Sequence, residues 1–180
     1  DAIVLMFVSG LRSSEVMQLK WEDVNFQRKN ILFKDTKNRR DHLIPMSRLM
    51  YAMLKKRDAN RHALGKTLPG RAASEYVFPN RLGTGPLKDV RKTRQGILRQ
   101  ASLPSLTNHD LRRTFVTICE QIGIEEAIYK KMINHHTGVT GGYVQTSQST
   151  LLENFERVST YISLSMPVFI DGELQDRGAG

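Results

Sequence analysis

Apolar residues fill residues 2–8, A-I-V-L-M-F-V, as in a helix buried on nearly every side, and Gly10 is placed to end it. Ser13 or Ser14 is positioned to cap a second helix, with Glu15 in its first turn and Val16 and Leu19 one turn apart. Residues 31–34 and 42–45 are short apolar runs around a polar turn, 35–41, which predicts a β-hairpin; Trp21, Val24 and Phe26 lead into a third strand. Helical spacing then returns, with Leu49, Met50, Met53 and Leu54 behind the cap candidate Ser47.

Residues 60–75 show no clear period and contain Gly65, Pro69 and Gly70, which predicts a long surface loop. Leu87, Val90, Arg94, Ile97, Leu98 and Ala101 then fall on one helical face. Pro104 precedes a further helix, capped by Thr107 or Asn108, with the stripe Leu111, Phe115, Ile118, Cys119 and Ile122 and an end at Gly123. Ile124, Ala127, Ile128 and Met132 make a shorter one. The last helix opens on a capping box, Thr150 to Glu153, and buries Leu151, Leu152, Phe155, Val158 and Ile162. The pattern describes an α+β chain, mostly α-helical with a small antiparallel β-sheet.

At 180 residues with 39% hydrophobic content, one domain with its own core is the natural count. It is expected to occupy residues 1–165. Residues 166–180, a short apolar stretch at 168–170 followed by a polar, glycine-ended end, are expected to form a tail that is flexible or packs on a neighbouring protomer. The opening apolar run lacks the basic flank and cleavage site of a signal peptide and resembles a core helix entered partway, so a preceding N-terminal part is expected. No apolar run approaches the length of a membrane span.

Charge narrows the partner. Twenty-seven Lys and Arg against 18 Asp and Glu leave a net charge of +9 and a pI near 9.9. That excess favours a polyanion, nucleic acid first and an anionic membrane surface second, with a merely basic surface as the alternative. Lys88, Arg91, Lys92 and Arg99 concentrate it on one predicted helix. Cys119 is the single cysteine, which excludes an internal disulfide and fits a reducing compartment.

The chemistry-bearing residues come in a fixed order. Arg12, in S-G-L-R-S-S-E, sits between two helices where the backbone aims it, with Glu15 as its ion-pair partner. Lys37 occupies the hairpin turn beside Asn38, Arg39 and Arg40; a solubilising lysine is the alternative there. His109 and Arg112, in H-D-L-R-R, stand about a turn apart near a helix N-terminus, which favours an anion. A surface histidine beside a solvated arginine is the competing reading. His135 and His136 follow a helix end near Asn134. A metal set of these histidines with His109 and Asp110 lacks a helical H-x-x-x-H pair or a cysteine to support it. Tyr143 follows Gly141 and Gly142, which give its backbone freedom; Tyr161, the rival tyrosine, is expected in the core.

Taken together, S-G-L-R-S-S-E, T-K-N-R-R-D-H-L-I-P, H-D-L-R-R, M-I-N-H-H-T-G and the tyrosine after T-G-G resemble the catalytic domain of the tyrosine recombinases, the phage integrases and chromosome-dimer resolving enzymes. The resemblance runs from residue 1 to about 161. It implies Arg12, Lys37, His109, Arg112, His135 and Tyr143 as catalytic residues, with Glu15 supporting Arg12. Asn134 departs from the glycine commonest at its position, and the His135–Tyr143 interval is one residue short, so His135 and His136 both stay open as the site histidine. What the resemblance further implies is double-stranded DNA as partner, a tetramer on paired sites, and a 3′-phosphotyrosyl intermediate. It implies no metal or nucleotide cofactor, and a cytoplasmic, nucleoid-associated protein of bacterial or phage origin. Type IB topoisomerase-like relaxation and a non-catalytic basic DNA-binding domain are the alternatives.

Overall fold

Two phenylalanines mark the centre of the molecule. Phe115 and Phe155 are fully buried with ring centroids 6.2 Å apart, and the helices that carry them close over the first helix of the chain. This arrangement comes from a computed structural model that describes residues 1–34, 36, 40–67, 74–135 and 146–165, without the side chains of residues 63–67. The tail, 166–180, lies outside the described residues.

α1, Ala2–Ser9, is apolar around most of its circumference because it packs against both α5, Asn108–Gln121, and α7, Gln148–Ser165. α2, Ser13–Met17, follows after a sharp corner. A 3-10 turn, Trp21–Asp23, leads into a three-stranded antiparallel sheet in the order β1 (Val24–Asn25), β2 (Asn30–Phe33) and β3 (His42–Pro45). Ile31 pairs with Ile44 and Phe33 with His42. Ile31, Phe33 and Ile44 thereby share the buried face, as period-2 alternation requires, and Leu43 is turned outward. β3 lies on α7. α3, Arg48–Thr67, α4, Arg91–Gln100, and α6, Glu126–Met132, complete the fold. The mostly helical class with one small antiparallel sheet is what the pattern predicts.

Several local expectations are corrected. The loop expected at 60–75 is helical as far as Thr67. Its period is hidden because the inward positions are cations: Arg57 stacks on Phe78 at 4.8 Å and Arg61, one turn on, stacks on Trp21 at 4.6 Å. Asp58 adds an ion pair to Arg61 and lies 3.5 Å from His62 Nε2 within the same helix. α2 is capped from Arg12, and Ser13 and Ser14 lie inside it. α4 starts at Arg91, whose amide donates to Asp89 Oδ1 at 2.7 Å, so Leu87 and Val90 precede the helix and Ile97 is half exposed. α7 starts one turn earlier than expected, because Ser147 Oγ accepts from the amide of Thr150 at 3.1 Å. Leu152 and Tyr161 are not core: both are over a third exposed, and the Tyr161 hydroxyl donates to Gln121. Cys119 is buried as expected, and burial pushes its thiol up to about 12. Among the described residues no helix is long and apolar enough to cross a membrane.

Candidate active site

A tight corner between α1 and α2 builds the first half of the site. α1 ends in a left-handed residue, Gly10 with φ 64°, whose amide returns to the carbonyl of Met6 at 3.0 Å. A Cβ at Gly10 would lie 2.7 Å from Cγ of Phe115 and 2.8 Å from Cγ2 of Ile133, so only glycine brings α1 this close to α5 and to the end of α6. Leu11 is buried, and Arg12 stands at the cap of α2 in extended backbone. Glu15, three residues into that turn, holds it twice. One carboxylate oxygen accepts from the Arg12 amide at 3.0 Å, and the other takes the Arg12 guanidinium at 3.1 Å. The Glu15 side chain is only 4% exposed, which makes this pair more than a surface ion pair. Glu15→Ala is expected to cost about 1–3 kcal/mol in urea unfolding, because it leaves both a cap amide and a partly buried cation without their acceptor.

The second arginine reaches the same corner from α5. Arg112 donates from Nη1 to the carbonyl of Gly10 at 2.9 Å, so the negative end of α1 fixes its direction. Burial lowers the Arg112 guanidinium to about 10; the charge of Arg12 lowers it further in the same sense, while Glu15 opposes them. Two guanidinium groups that disfavour each other's charge are stabilised together by an oxyanion placed beside both. α5 begins with a capping box in which Thr107 and Asp110 bond reciprocally. Those bonds, the side-chain one first, hold the Asp110 carboxyl below its usual range. His109 is exposed on the first turn of this helix.

The end of α6 supplies the third piece. Asn134 is left-handed with φ 53°; its amide bonds to the carbonyl of Lys131 at 3.1 Å, and the amide of His135 bonds to that of Lys130 at 2.8 Å. This is a Schellman motif, and it aims His135 from the turn rather than from the helix face. Asparagine serves here because it tolerates the left-handed region better than other non-glycine residues.

His109, Arg112 and His135 consequently line one open depression of about 370 Å³ between α5 and α6, shared with Arg113, Val116 and Lys130. Arg12 is not part of that lining but lies near enough to Arg112 for its charge to be felt there. The structure thus brings together four of the six residues expected to be catalytic, with Glu15 behind Arg12. Lys37, Tyr143 and His136 lie outside the described residues. Lys34, the other lysine of the hairpin, is held by Asp23 at 2.5 Å and Glu22 at 3.2 Å. Arg113 and Lys130 were not singled out by sequence; Arg113 sits four residues after His109, and that one-turn spacing was the available signal.

Comparison with known proteins points the same way. Residues 1–149 match the family described as the phage integrase family. Prophage integrase IntF of Escherichia coli is 24% identical over 161 residues, which cover 88% of this chain and 33% of that protein. Tyrosine recombinase XerA of Pyrococcus horikoshii is 26% identical over 163 residues, covering 86% of this chain and 53% of that protein. The chain therefore spans about half or less of the length of these relatives. The solved structure of XerH site-specific recombinase bound to difH substrate superposes with a TM-score of 0.60 at 20% identity, covering 92% of this chain and 44% of that one. With the family match running across residues 1–149 of 180, the chain belongs to the phage integrase family of tyrosine recombinases.

Proposed function

We propose that residues 1–165 form the catalytic domain of a site-specific recombinase that cuts and rejoins double-stranded DNA for the integration or excision of a phage or mobile element. The observation that carries this reading is the arginine corner: Arg12 and Arg112, 100 residues apart, converge on the end of α1 beside His109 and His135. Such a corner suits the non-bridging oxygens of a phosphate in transition, where negative charge grows.

The remaining roles follow from the chemistry. Tyr143 attacks phosphorus through its hydroxyl oxygen, the bond from phosphorus to the 5′-oxygen breaks, and a 3′-phosphotyrosyl link remains with a free 5′-hydroxyl. A tyrosine with a pKa near 10 must lose its proton as it attacks, and His109 is the base. Lys37 protonates the departing 5′-oxygen, and His135 hydrogen-bonds the phosphate. Attack by a second 5′-hydroxyl on the phosphotyrosine completes strand exchange, on a tetramer assembled over paired sites. Exposed Lys88, Arg91, Lys92 and Arg99 on and before α4 offer the duplex a basic face.

The test is to incubate the intact protein with nicked suicide duplexes from the flanks of its native element and map the adduct by mass spectrometry. A DNA-linked peptide carrying Tyr143 supports the reading, and no adduct on any such duplex, or one elsewhere, sinks it. Binding should also weaken steeply with salt, each phosphate contact contributing roughly −0.9 to the slope of log affinity against log salt. A flat salt response would remove the basic face from the interface.

A further inference from the structure

The turn that carries His135 and the hairpin that carries Lys37 are bolted together by buried polar contacts. Asn134 Nδ2 donates to Thr36 Oγ1 at 2.8 Å, and Thr36 Oγ1 donates onward to the carbonyl of Arg40 at 2.8 Å. Asn134 and Thr36 are each 3% exposed. A second contact lies alongside: His42 Nε2 is 3.1 Å from the carbonyl of Met132, the last residue of α6, and His42 is also buried. The contacts reach both legs of the hairpin, at Thr36 before the turn and at Arg40 and His42 after it. Lys37 is the residue covalently bonded to Thr36.

The backbone alone does not ask for asparagine at 134. At φ 53° glycine is at least as comfortable, so what asparagine adds is its amide. A buried amide is costly unless it is bonded, and here it donates to the side chain of the residue that precedes Lys37. The same residue sets the left-handed turn that aims His135. One side chain therefore registers two parts of the site that lie about 100 positions apart in the chain.

We propose that Asn134 is a positioning residue for Lys37: through Thr36 it fixes the base of the lysine turn against the turn bearing His135, so that proton delivery to the leaving 5′-oxygen is in register with phosphate binding. The proposal rests on the reading of Lys37 as general acid, and its test separates the two. In the intact protein, Asn134→Gly and Thr36→Val are compared on ordinary DNA and on DNA whose bridging 5′-oxygen is replaced by sulfur. The sulfur leaves as a thiolate without needing a proton.

Both variants are expected to cleave ordinary DNA about 10- to 100-fold more slowly, the scale of a misplaced catalytic group. On the sulfur substrate they should recover to within about threefold of the parent, because a late proton no longer matters. The double variant should be no slower than either single one, since both break the same link. Glycine accepts the left-handed turn and valine matches threonine in shape, so neither variant removes a part the fold requires. Equal slowing on both substrates means a structural role only, and an unaltered rate on ordinary DNA means no role; either overturns the proposal. Lys37→Ala serves as the reference. If sulfur fails to rescue it, the assignment of Lys37 as acid falls and takes the proposal along. If sulfur rescues Lys37→Ala but not Asn134→Gly, only the positioning claim falls.

Discussion

Tyr143→Phe is expected to abolish the covalent adduct with DNA while leaving DNA affinity nearly unchanged. The substitution removes a single oxygen, the atom that forms the ester to phosphorus in the proposed mechanism. The arginine corner and the exposed cations of α4, to which the proposed function assigns attraction to the duplex, are untouched. Tyr161→Phe is the matched control. Its hydroxyl donates to Gln121 on the outer side of α7 and α5, so its loss should leave adduct formation at the parent level. The measurement is adduct yield on a suicide duplex beside affinity by fluorescence anisotropy. Persistent adduct in Tyr143→Phe, or its loss in Tyr161→Phe, would transfer the nucleophile's role elsewhere.

The second large effect falls on a residue with no side chain. Gly10→Ala should destabilise the domain by about 2–5 kcal/mol, the sum of overpacking and left-handed strain. The added methyl meets Phe115 and Ile133, both firmly buried, at a backbone φ of 64°. Urea denaturation reads the cost directly. Phe115→Leu in the same chain should recover part of it, by making room, and never all of it, since the backbone strain stays. Strand cleavage should fall further than stability predicts, because the Gly10 carbonyl holds Arg112 and the next two residues lead to Arg12. A midpoint unchanged from the parent would contradict the packing described for this corner.

That corner was legible in the sequence as far as a glycine ending an apolar run followed by an arginine. What the string could not give was the reason for the glycine, since its neighbours Phe115 and Ile133 come from far along the chain. The same holds for Asn134: its departure from glycine was visible, but its partner Thr36 lies 98 residues away and only folding introduces them. The second half of α3 was missed for a different reason. Apolar periodicity finds helices whose buried face is aliphatic, and Arg57 and Arg61 bury theirs by stacking on aromatic rings. Among the described residues, Arg12 at the cap of α2, His109 in the first turn of α5 and His135 after α6 sit at helix ends, where sequence signals are strongest. His109, Arg112 and His135 line one depression, and Arg12 lies near Arg112.

The buried cysteine has a practical bearing. Cys119 is the chain's single thiol, inaccessible in the core, and burial pushes its pKa up to about 12, so the reactive thiolate is scarce at neutral pH. Maleimide reagents should therefore pass over the folded protein. A cysteine introduced at exposed Leu164 or Leu82 would then accept a fluorophore at one defined place without first removing the native residue. Conversely, the appearance of Cys119 labelling on titration with urea would report opening of the Phe115–Phe155 core itself, a chemical clock for unfolding built into the unaltered sequence.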